Sequence, residues 1–248
     1  LVSAPARPAF ARLVRDLLGP TARRVGWDPK PGESDDQKLL RETVLGALGS
    51  LGDDDGTLRA ARRVADAWLV DPTATDPDLA RIGLPLAARR ADEALFEQLR
   101  RVLAQPATPE VRLLALAGLA GFEDPALVER VLALTVDGTI KAQDFRYLIF
   151  PLGARRATRD LTFAWIQRHF DQLTAVMPTF LRRQFTSVAA GMCDRQRVQE
   201  VETFLRPRLA KLEGAERNAR QAIEVGLRCA ALADKEGAAT SRWLLGRR

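Results

Sequence analysis

The sequence predicts an all-α protein, an alpha-alpha superhelix assembled from antiparallel helix pairs. Three observations lead there. Apolar residues recur at spacings of three and four: Leu113, Leu116 and Ala120; Leu127, Val131 and Leu134; Leu161, Trp165, His169 or Phe170, and Leu173. Leu, Ala and Arg dominate and Ile is scarce, which suits helices better than strands. Short polar turns such as Asp124–Pro125 and Asp137–Gly138 punctuate the periodic runs. An amphipathic helix cannot cover its own stripe, so each needs a neighbour. The repeat is approximate in length and weak in identity, as in a HEAT/ARM-like solenoid of degenerate pairs. Residues 1–248 are read as a single helical-repeat domain, with 1–8 and 246–248 flexible.

In chain order, Pro8 fits the first turn of a helix through Leu13, Leu17 and Leu18. The Gly- and Pro-rich stretch from Gly19 to Gly32 reads as a structured connection with a short helix at Thr21–Val25 and Trp27 as a core anchor. Ser34 is an N-cap, with Asp35 and Asp36 in the favoured first turn. Leu40, Val44, Leu48 and Leu51 line the helix that follows, and Gly52 ends it. A second runs from about Thr57 to Val70 with Leu58, Ala61, Ala65, Trp68 and Leu69 inward. Pro77 and Asp78 open the next, which Pro85 kinks or splits. Ala91–Ala104 is helical, and Thr108 caps the central helices. Further helices are expected over Thr139–Leu152, ended by Pro151, then Arg159–Ala175, Thr179–Ala190, Arg195–Leu212 and Glu213–Ala233. The last turns Ile223, Leu227 and Ala231 inward. Trp243 docks from the tail.

Bulk properties exclude several classes. The formal charge is +6, from 38 basic and 32 acidic residues, which permits a nucleic-acid partner without demanding one. No apolar run approaches a membrane span. The start, LVSAPARPAF, lacks signal-peptide character and an initiator Met, so the piece is expected to come from something longer. Cys193 and Cys229 make no disulfide framework and read as buried free thiols.

Chemistry is sparse. His169 is the single histidine, which rules out HExxH, and two distant cysteines with one histidine are an unconvincing zinc set. No P-loop, dinucleotide fingerprint or nucleophile elbow occurs. Asp53–Asp55 reads as a turn, and Glu33, Asp35 and Asp36 as helix-start residues. No catalytic and no metal-binding residue is assigned. The arginines stand out. Arg155, Arg156 and Arg159 lie where one helix ends and another starts, and Arg182 and Arg183 near the start of a later one. Arg146 is out of phase with Leu148 and Ile149. Converging edges of a solenoid would gather these six into a basic groove able to grip a carboxylate or phosphate with paired donors. Trp27, Trp68, Trp165 and Trp243 are read as structural anchors.

The order of motifs carries a resemblance. Gly26, Trp27, Gly32, Glu33, Leu40 and Arg41, the run TPEVRLLALAGLAGFEDPALVERVLAL, the segment IKAQDFRYLIF, Arg159 with Trp165, and VQEVETFLRPR resemble the C-terminal helical (ERAP1-like) domain of M1-family zinc aminopeptidases. Thr158 stands where that family usually has glycine. The resemblance covers nearly all of the chain. It implies a domain that rests against a thermolysin-like N-terminal catalytic domain of the same polypeptide, caps its cavity and shapes access for peptide substrates. Zinc and its ligands would then belong to that other domain, with no cofactor here, no nucleic-acid partner and no membrane segment. Two other readings follow from form and charge: a nucleic-acid-binding helical repeat like the helical-repeat DNA glycosylases, and a general protein-interaction scaffold.

Overall fold

A computed structural model describes residues 2–247, and among them there are twelve α-helices, four short 3-10 segments and no strand. The chain divides into two compact units, one built on residues 4–124 and one on residues 125–246. Leu1 and Arg248, at the tips of the segments expected to be flexible, lie outside the described residues. Ala4–Ala6 form a 3-10 turn in which Ala6 is buried.

The first unit holds α1 (Arg7–Val25), α2 (Asp35–Ser50), α3 (Asp55–Val70), α4 (Pro77–Ala88), α5 (Glu93–Ala104) and α6 (Pro109–Leu119). α1 packs on α2, α3 on α4, and α4 and α5 on α6. No separate helix covers Thr21–Val25, because α1 runs unbroken through Gly19 and Pro20. An interior proline forfeits one hydrogen bond, and here that loss does not end the helix. Gly26 does, at φ 61°, a left-handed conformation that other residues rarely adopt.

Side-chain oxygens cap the next starts. Ser34 and Gln37 form a reciprocal capping box. Asp54 accepts from the Thr57 amide at 2.8 Å, Asp92 from Leu95 at 3.3 Å and Thr108 from Val111 at 3.1 Å. The buried cluster beneath them is Leu45, Leu58, Ala61, Ile82 and Leu86, with Ala22 and Trp27 packed on it. On α2, Val44 and Leu48 are buried as expected, but Leu40 and Leu51 are 37% and 53% exposed. The inward face includes Arg41 instead, because its guanidinium is drawn onto Glu33 and the end of α1.

Pro85 does not split α4. Its backbone is where Gly121 comes in: a Cβ on Gly121 would stand 2.7 Å from the Pro85 Cα. Backbone cannot step aside as a side-chain tip can. Gly121→Ala is therefore expected to cost about 1–3 kcal/mol by overpacking. Chemical denaturation of the variant measures it, and wild-type stability would refute the close approach.

The second unit holds α7 (Pro125–Ala133), α8 (Arg146–Ala154), α9 (Arg159–Val176), α10 (Thr179–Arg182), α11 (Arg195–Leu205) and α12 (Ala215–Gly246). Several expected helices differ. The run Thr139–Leu152 is a 3-10 turn at Ala142–Asp144 followed by α8, and Pro151 lies inside α8 rather than ending it. The run Thr179–Ala190 is four residues of α10 and then 3-10 helix from Arg183 to Gly191. There the Thr186 and Ser187 hydroxyls donate to the carbonyls three residues back, matching the tighter turn. The run Arg195–Leu212 becomes 3-10 after Leu205, where Pro207 has no N–H to continue the i→i−4 ladder to the Thr203 carbonyl.

α12 is longer than expected and has the opposite apolar logic. Its buried residues are small, Ala219, Ala222, Gly226, Ala230, Gly237 and Ser241, with Leu244 at the end. Ile223 and Leu227 are half-buried and Ala231 is exposed. Small residues allow close approach: a Cβ on Gly226 would stand 3.1 Å from the Met192 carbonyl oxygen and 2.7 Å from Val198 Cγ2. The cysteines are not free. Cys193 and Cys229 form a disulfide between the segment before α11 and the middle of α12. The helix phase that puts Cys229 beside Cys193 could not be placed from the expected inward face.

Candidate functional site

The second unit contains a pocket of about 340 Å³ between α8, α9 and the 3-10 segment. Ile149, Phe150, Ile166, Phe185 and Val188 give it an apolar lining, and Gln184 and Ser187 add amide and hydroxyl groups. Two glycines fix one wall. A Cβ on Gly191 would stand 3.2 Å from the Gly153 carbonyl oxygen, so α8 and the end of the 3-10 segment nearly touch there. Pro151 adds a feature of its own: with no N–H, it leaves the Tyr147 carbonyl without its helical donor.

Arg159, the first residue of α9, spans this wall by donating from Nη1 to the Gly191 carbonyl. Its Nε is buried without an acceptor. Thr158, where glycine had been expected by resemblance, has φ −121°, which any residue adopts. It is buried, and its hydroxyl donates to the Leu152 carbonyl at 2.6 Å, satisfying one of the orphan acceptors at the end of α8.

The six candidate arginines do not gather at one point. Arg155, Arg156 and Arg159 cluster at the α8–α9 connection, beside Gly153 and Ala154 of the pocket. Arg159 reaches the far end of the 3-10 segment, whereas Arg183 begins it. Eight residues at 3-10 rise separate those ends by about 16 Å. Arg182 turns away: its Nε donates to the Met177 carbonyl at 3.0 Å, and it lines a separate, more polar groove with Asp171, Thr174 and Lys211. In that groove the Lys211 ammonium, 2.7 Å from the Asp171 carboxylate, holds the carboxyl below its ordinary range. Arg146 lies over the Tyr147 ring, 4.7 Å from its centroid, and donates to the Tyr147 hydroxyl. Residues 125–246 nevertheless carry 19 Lys and Arg against 13 Asp and Glu, so the positive excess belongs to this unit.

Of the tryptophans, Trp68 and Trp165 are buried, and Trp27 packs half-buried on the first unit's core. Trp243 is 54% exposed. It follows Ser241 by two residues on α12, a rotation of about 200° from the buried face. It stands off the buried face of that helix. The apolar lining is not legible in the sequence, where Phe150, Phe185 and Val188 look no different from residues that fill a core. The signal that could have found it is the pair Gly153 and Gly191, each beside a predicted helix end.

Comparison with known proteins extends these observations. The family model for the ERAP1-like C-terminal domain matches residues 1–227. The chain belongs to that family. Among its relatives, aminopeptidase M1 of Arabidopsis thaliana is 30% identical over 194 residues, 75% of this chain and 22% of that protein. Aminopeptidase 2, mitochondrial, of Saccharomyces cerevisiae is 23% identical over 206 residues, 82% of this chain and 22% of that protein. Aminopeptidase 2 of Candida albicans is 21% identical over 242 residues, 96% of this chain and 26% of that protein. The chain thus spans between a fifth and about a quarter of these relatives' length.

Within this ERAP1-like domain the resembling residues of the α1–α2 connection have a structural explanation. Gly26 and Gly32 have positive φ, and Glu33 and Arg41 pair across the turn. Zinc does not fit the residues present. Among the described residues no group of three or more His, Cys, Asp or Glu could hold a metal ion, and both cysteines are consumed in the disulfide. No described helix is long and apolar enough to cross a membrane.

Proposed function

We propose that this domain is the noncatalytic C-terminal part of a zinc aminopeptidase, resting against the catalytic part of the same polypeptide and restricting how peptides reach it. The observation that carries this reading is the family match over residues 1–227, in a chain a fraction as long as relatives named aminopeptidases. The reaction is removal of N-terminal residues from peptides. The metal, its ligands and the general base belong to the part outside this chain. This domain contributes walls and charge. The exposed Arg156 follows two residues after Ala154, which lines the pocket together with Ile149, Phe150 and Phe185. Guanidinium groups suit a peptide carboxylate or acidic side chain, and an apolar pocket suits a neighbouring apolar side chain.

The test is a charge reversal in the longer polypeptide, Arg156→Glu. Loss of about 1 kcal/mol of exposed ion-pair attraction raises KM for an acidic peptide roughly fivefold. Cleavage of an aminoacyl p-nitroanilide, too small to reach this residue, stays unchanged. Equal kinetics on both substrates, or an equal loss on both, would argue against a peptide-holding role.

A further inference from the structure

We infer that the Cys193–Cys229 disulfide holds the wall of the apolar pocket in place, so that its reduction selectively loosens that pocket. The pocket wall ends at Ala190 and Gly191, and Cys193 follows two residues later. Arg159 fixes Gly191 from the α9 side through its carbonyl. On the other side the same segment meets α12, which carries Cys229. That second contact is built from small residues. Gly226 admits the Ala189 and Met192 carbonyls to within the reach of a would-be Cβ, and Ala222 and Ala230 flank it on the same face. Such a seam brings backbones close while each small residue buries little apolar area, and the disulfide is the covalent tie across it.

The bond is reachable. Both cysteines are half-buried rather than enclosed. A dithiol reductant can act by exchange: its thiolate attacks one sulfur and releases the other cysteine as a thiolate, which takes up a proton. The reductant's second thiolate then attacks its own sulfur in the mixed disulfide, closing a cyclic disulfide and releasing the second cysteine. Two electrons and two protons pass to the protein. The 3-10 segment then keeps only the Arg159 tether and its apolar contacts. Pocket shape, and affinity for whatever enters, become dependent on the thiol–disulfide balance. This inference stands whether or not a peptide is the occupant.

Hydrogen–deuterium exchange of the purified chain, with and without dithiothreitol, tests it, alongside the Cys193→Ala, Cys229→Ala double variant. Alkylation of the untreated protein first reports the thiol state. The expected result is no alkylation before reduction and, after it, exchange at residues 185–192 accelerated at least tenfold more than in α7 and α9 of the same unit, while peptides from α2 to α6 exchange as before. The double variant matches the reduced protein and ignores dithiothreitol. Ready alkylation without reductant, unchanged exchange at residues 185–192, or an equal acceleration throughout the second unit or the chain would each overturn it. If the double variant does not fold, the wild-type comparison decides alone.

Discussion

Arg41→Ala is expected to lower the stability of the first unit by about 1.5–3 kcal/mol, the usual contribution of hydrogen bonds to a charged group. The Arg41 side chain is 4% exposed and its partner Glu33 9%. The guanidinium donates to both Glu33 oxygens, to the Gly26 carbonyl at 3.0 Å and to the Val25 carbonyl at 3.2 Å. It therefore serves the last carbonyls of α1 and the loop before α2 together. Lysine cannot reproduce this fork, so Arg41→Lys rescues little. The same knot gives a pH dependence. The hydrogen bond from Arg41 is the main cause that holds the Glu33 carboxyl below its ordinary range. A depressed folded-state value means the contribution is complete above the unfolded glutamate value of about 4.3. It fades as pH falls through the lower folded-state value. Urea unfolding at neutral pH and again below pH 4 should show the gap between wild type and Arg41→Ala shrinking in acid. A gap that is absent at neutral pH, or constant with pH, would contradict the buried pair.

Removing the disulfide is the second large effect. Cys193 and Cys229 are 36 residues apart, and a loop of that size restricts the unfolded chain by about 4 kcal/mol in the chain-entropy treatment. For a chain of this size, roughly 2–4 °C of Tm accompanies each kcal/mol. Thermal unfolding in dithiothreitol should therefore begin roughly 10 °C lower for the second unit. Calorimetry reads this directly. An unchanged profile after complete reduction, verified by alkylation, would show that the tie contributes nothing.

The helices with large residues inside and a polar cap in front were legible in the sequence. Ser34 and Thr108 capped where expected, Pro77 opened α4, and the starts of α9 and α11 were read correctly. Apolar periodicity works when the buried face is the bulky one. It misreads α12, where Gly226 and its alanine neighbours face inward and Ile223 and Leu227 lean outward. Close approach selects small side chains, and a stripe of Ala and Gly carries no hydrophobic signal. The disulfide escaped for the same reason, since pairing Cys193 with Cys229 needs the true phase of α12. Arg41 escaped because a charged residue at a core phase reads as surface until its partner is known. The 3-10 stretches escaped because i→i+3 and i→i+4 turns share much of their pattern over one or two turns. The candidate arginines can be picked out in the sequence, but where each one lies cannot. Their grouping depends on which end of the 3-10 segment each one meets, and sequence spacing does not contain that.

The measurement that bears most directly on the account compares the longer polypeptide with a version lacking residues 1–248. The quantity is the ratio of kcat/KM for a decapeptide to kcat/KM for an aminoacyl p-nitroanilide, with this domain then added back in trans. If the domain restricts and shapes peptide access, the ratio shifts severalfold on removal and returns on addition, while the zinc content of the catalytic part stays the same. A ratio unmoved by removal and by addition, with the catalytic part folded and metal-loaded, would contradict the proposed role.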